Sequence, residues 1–90
     1  MSKLDMAREI INSCDKEMIE LFKKRMYAAS MVAEYKKENN LPILDSKREE
    51  TIINKNVELL CNKELETYYL EFFKTLLKVS KDYQKKLNEE

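Results

Sequence analysis

From Leu4 to Asn39 the chain contains neither Gly nor Pro, and its apolar residues recur at three- and four-residue steps throughout. Such a stretch predicts one continuous helix, on the order of 50 Å long at 1.5 Å per residue. Ser2 or Asp5 is placed to cap its start, where acidic groups suit the positive end of the helix dipole. Asn39 and Asn40 close it, and Pro42 forbids its continuation. One stripe of this helix carries Arg8, Ile11, Met18, Phe22, Arg25, Ala29, Val32 and Lys36. Three cations thus interrupt a surface that a long helix should bury.

The whole chain, 1–90, reads as a single domain. A domain of that size has a radius of gyration near 12–13 Å, so the first helix outruns any partner its own chain provides. A second copy must cover the overhang. The expected fold class is therefore all-α, with three helices per chain, one very long, in an interleaved homodimeric helical bundle. The absence of Gly supports this, because tight hairpins and phosphate-cradling loops need positive φ or close backbone approach. The apolar connection Asn40–Asp45 is expected to pack onto the core. Ser46-Lys47-Arg48-Glu49 matches a capping box at the start of helix 2, which begins at Asp45 or Ser46. Helix 2 ends near Cys61-Asn62, with Asn62 expected in the left-handed turn. Helix 3 runs from about Glu64 to about Leu87, with Leu65, Tyr69, Phe72, Leu76, Ser80, Tyr83 and Leu87 on its apolar stripe.

Charge and composition narrow the function. Seventeen basic residues balance 17 acidic ones, which argues against nucleic acid and against an anionic membrane surface. No apolar run is long enough to cross a bilayer. The first residues lack the apolar core of a signal peptide, so a cytoplasmic location is expected, with Cys14 and Cys61 as reduced, buried thiols. The chain has no His, which removes the commonest general base and metal ligand. Neither a metal nor a cofactor is expected.

Arg25 and Lys36 are eleven residues apart. On a helix they lie within roughly 20° of each other and about 16 Å apart along the axis, which leaves room between their tips for one small polar molecule. The planar fork of Arg suits a carboxylate. Singly, each would read as a snorkelling surface cation. Arg8 precedes Arg25 by seventeen residues, roughly 25 Å on a straight helix, so any site it serves belongs to another subunit; periodicity alone favours an exposed N-terminal Arg. Ser80 and Gln84 are uncharged polar residues one turn apart on an apolar stripe, and they need hydrogen-bond partners. Asp45 and Glu49 can act simply as helix caps, and Arg48 as a solvated charge.

Together these residues resemble the all-α chorismate mutase family. The ordered set is Arg8, Asp15, Arg25, Lys36, then Leu41-Pro42-Ile43-Leu44-Asp45-Ser46-Lys47-Arg48-Glu49, then Ser80 and Gln84. It covers Leu4 to Gln84. The resemblance implies an intertwined dimer of three-helix chains that converts chorismate to prephenate by a Claisen rearrangement, on the route to Phe and Tyr. That pericyclic reaction needs no nucleophile, metal or redox cofactor. The resemblance further implies that Lys36 and Gln84 serve the ether oxygen. Arg25, and Arg8 of the other subunit, would bind the carboxylates with help from Ser80. Asp45 and Glu49 would orient the ring hydroxyl, supported by Arg48. Two alternatives stand beside it. One is an isochorismate-pyruvate lyase on the same scaffold; the other is a non-catalytic helical dimerisation module.

Overall fold

A computed structural model of the chain describes residues 1–89. It contains three helices, α1 (Lys3–Glu38), α2 (Ser46–Leu60) and α3 (Glu66–Glu89), and no strand among the described residues. The capping box belongs to α1, not α2. The Ser2 hydroxyl accepts from the Asp5 N–H at 3.1 Å, and the Asp5 carboxylate accepts from the Ser2 N–H at 3.4 Å. At α2 the cap is Asp45, which accepts from the Arg48 N–H at 3.0 Å. Ser46 is already helical, and Glu49 is thereby released from capping.

The end of α1 is as expected, whereas that of α2 differs for a local reason. α1 closes with Asn40 at φ 54°, and the Leu41 N–H reaches back to the Lys36 carbonyl at 2.8 Å. After α2 the left-handed residue is Cys61, at φ 48°, not Asn62. The Asn62 side chain is engaged elsewhere: its oxygen accepts from the Leu65 N–H at 3.2 Å and forms the turn before α3. That turn delays the start of α3 to Glu66.

Helix α3 is the common neighbour, packing against α1 on one side and α2 on the other. The buried core is small: Ala29 and Ala33 of α1 against Phe73 and Leu77 of α3. The two alanines let the helix backbones approach closely enough for Asn88 Nδ2 to donate to the Ala33 carbonyl at 3.1 Å. Tyr69 stacks on Phe73, with ring centroids 5.6 Å apart, and its hydroxyl reaches Asn56 Oδ1 of α2 at 3.4 Å. The buried stripe of α3 is therefore Phe73, Leu77, Ser80 and Gln84, rotated from the one read in the sequence. Phe72 and Leu76 instead line an open apolar groove of about 730 Å³ with Met18, Leu21, Phe22 and Tyr68. Ile43 is half-buried, but Leu41 and Leu44 of the connection are exposed. Both cysteines are exposed as well, contrary to their reading as buried hydrophobes.

The protomer measures 56 × 27 × 15 Å with a radius of gyration of 16.4 Å, well above the 12–13 Å or so of a compact chain of this length. The excess lies in α1, where residues 3–24 are all exposed, with Leu4, Ile10, Ile11, Met18 and Ile19 among them.

Candidate active site

A cavity of about 320 Å³ lies where the C-terminal half of α1, the start of α2 and the C-terminal half of α3 converge. It gathers seven of the eight residues singled out in the sequence: Arg25, Lys36, Asp45, Arg48, Glu49, Ser80 and Gln84. Arg8 is not among them; it sits on the exposed N-terminal half of α1. Helical spacing explains the grouping. Asp45, Arg48 and Glu49 fall three and four residues apart, so one face of α2 presents all three. Ser80 and Gln84 do the same on α3.

Each cation is held in place. The Arg25 guanidinium lies over the Phe73 ring, 5.8 Å from its centroid, a contact that orients the fork while leaving its N–H edge available. Lys36 Nζ donates to the Ile43 carbonyl at 2.7 Å, tying α1 to the connection before α2. An ammonium carries three N–H donors, so this bond leaves two for the cavity. Ser80 and Gln84 are buried, and Gln84 Nε2 donates to Ser80 Oγ at 3.2 Å. Gln84 Oε1 is buried without a hydrogen-bond partner. Turning the amide end for end lets the Ser80 hydroxyl donate to that oxygen and frees the amide N–H groups from Ser80.

Sequence reasoning missed one charged lining residue. Lys81 pairs with Glu49, its Nζ standing 3.0 Å from one carboxylate oxygen and 3.2 Å from the other. The available signal was that Lys81 lies three residues before Gln84 and so shares its face. The lining then holds four cations, Arg25, Lys36, Arg48 and Lys81, against two carboxylates, Asp45 and Glu49. An excess of two positive charges around a partly enclosed volume suits a small dianion, and low-dielectric walls strengthen that preference. The carboxylates offer acceptors for a hydroxyl. No thiol or imidazole lines the cavity. Among the described residues no group of three or more His, Cys, Asp or Glu is assembled as a metal would require. No helix among them is long and apolar enough to cross a membrane.

Comparison with known proteins agrees with this chemistry. The profile of the family described as chorismate mutase type II matches residues 7–85. The bifunctional chorismate mutase/prephenate dehydratase of Buchnera aphidicola subsp. Schizaphis graminum (strain Sg) is 36% identical over 81 residues. That alignment covers 89% of this chain and 21% of the relative, so the chain spans about a fifth of the relative's length. No solved structure matches the chain significantly.

Proposed function

The chain belongs to the chorismate mutase type II family, and on that premise we propose that it rearranges chorismate to prephenate in the cavity between α1, α2 and α3. One observation carries the reading: a cavity with two excess positive charges, two hydroxyl acceptors and a buried amide, drawn from all three helices.

The substrate is a flexible dicarboxylate whose enolpyruvyl arm must fold over the ring before a C–C bond can form as the ether C–O bond breaks. Holding both carboxylates fixes that near-attack shape and removes entropy from the barrier. Arg25 takes one carboxylate, assisted by Ser80. Negative charge then grows on the ether oxygen, and donors already aimed there stabilise the transition state more than the ground state. Lys36 and Gln84 are those donors. Asp45 and Glu49 accept the ring hydroxyl, and Arg48 adds positive charge at the ring end.

Arg8 enters from a second copy. The exposed apolar half of α1 and the open groove beside Phe72 support an interleaved homodimer. In such a dimer the N-terminal half of one α1 lies across the other protomer and brings Arg8 to the remaining carboxylate.

Loss of chorismate absorbance, followed with wild type and Lys36→Ala, tests the reading. The variant is expected to lose about 10²–10³ in kcat, the usual effect of removing one oxyanion donor. Salicylate released from isochorismate, with no prephenate from chorismate, would instead identify a lyase. Unchanged activity in Lys36→Ala would remove Lys36 from the chemistry.

A further inference from the structure

We propose that Lys81 is a positioning residue of this site, acting through Glu49; the inference rests on the chorismate reading above. The Lys81–Glu49 pair differs from the other ion pairs described. Lys78–Asp82 and Lys23–Glu20 lie on the exposed face of a single helix. The hydrogen bond between Lys78 and Asp82 raises the Lys78 pKa and lowers that of Asp82, with Lys85 and Lys81 adding weaker charge effects on Asp82. Lys81 and Glu49 join α3 to α2, have about a quarter of each side chain exposed, and both line the cavity. Lys81 Nζ stands within 3.2 Å of both Glu49 oxygens, so the carboxylate plane is fixed.

The chemistry gives that pairing a purpose. Glu49 must be a carboxylate to accept from the substrate's ring hydroxyl, yet the substrate is itself a dianion. An uncompensated Glu49 would repel it across a small cavity with little water to screen the charges. Lys81 cancels that charge without occupying the space where the ligand lies. It also turns one Glu49 oxygen toward the hydroxyl. Without Lys81 the charge excess of the lining would fall from two to one. Arg48, the other cation near Glu49, is exposed and makes no ion pair with it.

The test measures kcat and KM for chorismate in Lys81→Met, Lys81→Gln and Lys81→Arg, each in the wild-type and Glu49→Gln backgrounds. In the wild-type background, Lys81→Met is expected to raise KM about tenfold with a smaller change in kcat. Lys81→Gln, which keeps a hydrogen bond to Glu49 and guards against a misfolded Lys81→Met, is expected to raise it too. Lys81→Arg restores most of the loss. With Glu49 already neutral, Lys81→Met should change KM less than about twofold. A structural tie alone would lower Tm and leave KM unmoved, and that result overturns the proposal. An equal rise in KM in both backgrounds overturns it as well, since Lys81 would then act without Glu49. Wild type that forms no prephenate removes the chorismate reading and this inference with it. Active wild type with unmoved KM in the variants removes the inference alone.

Discussion

In the proposed reaction Gln84 is a neutral amide that donates a hydrogen bond to the ether oxygen, and this has a consequence for pH. An amide donates at any ordinary pH, so kcat is expected to stay flat from about pH 7.5 to about pH 5.5. Gln84→Glu reverses that. A carboxyl there donates only when protonated, and burial raises its pKa, so the variant should gain activity steadily on acidification. A flat profile in Gln84→Glu, or a steep one in wild type, would show that position 84 does not serve the ether oxygen. Such residues differ in how far they announce themselves. Arg25 and Lys36 share one helix, and their spacing alone places them on one side of it. Ser80 and Gln84 stand out because polar groups on a buried stripe need partners, and each supplies the other's. Lys81 is harder to pick out: its place three residues before Gln84 puts it on that face, but its partner lies 32 residues away on another helix.

Helices as elements are easy to read here, because the 3.6-residue period persists and no Gly competes with it. Their caps are harder. Ser2 and Asp45 both cap, but Ser46 looks equally suitable, and only the geometry of the incoming loop decides between neighbours. The rotation of the α3 stripe has a related cause. Phe72 and Phe73 are equally apolar, and the close approach allowed by Ala29 and Ala33 selects Phe73. The left-handed turn at Cys61 is an identifiable weak point, since a side chain with a Cβ strains at φ 48°. Cys61→Gly is expected to stabilise the protein by about 0.5–1 kcal/mol. Thermal melts at fixed protein concentration should show a rise of a few degrees. A fall would mean that the added freedom of the unfolded chain outweighs the relieved strain.

The whole molecule is decided by the mismatch between α1 and everything it packs on. The overhang was legible from length alone, because 36 helical residues cannot fit a compact chain of 90. Which flank of α3 faces α1 and which lines the groove was not, because both flanks of α3 are apolar. The shared-site arrangement has a direct test. Arg8→Ala and Arg25→Ala chains, each nearly inactive alone, are unfolded together and refolded at equal concentration. Heterodimers then hold one intact site each, so activity should return to about a quarter of wild type under random pairing. No recovery would place Arg8 and Arg25 in the same protomer's site, or Arg8 in none. A different consequence follows from α2 packing, among the described residues, on α3 and not on α1. α2 is hinged to the molecule along one edge, and it carries Asp45, Arg48 and Glu49 into the cavity. Its amides should exchange with deuterium sooner than those of α3, because it can lift away without disturbing the α1–α3 core. A ligand that grips those three side chains would latch it. A bicyclic dicarboxylate resembling the transition state should therefore slow exchange across Ser46–Leu60 far more than along the exposed start of α1.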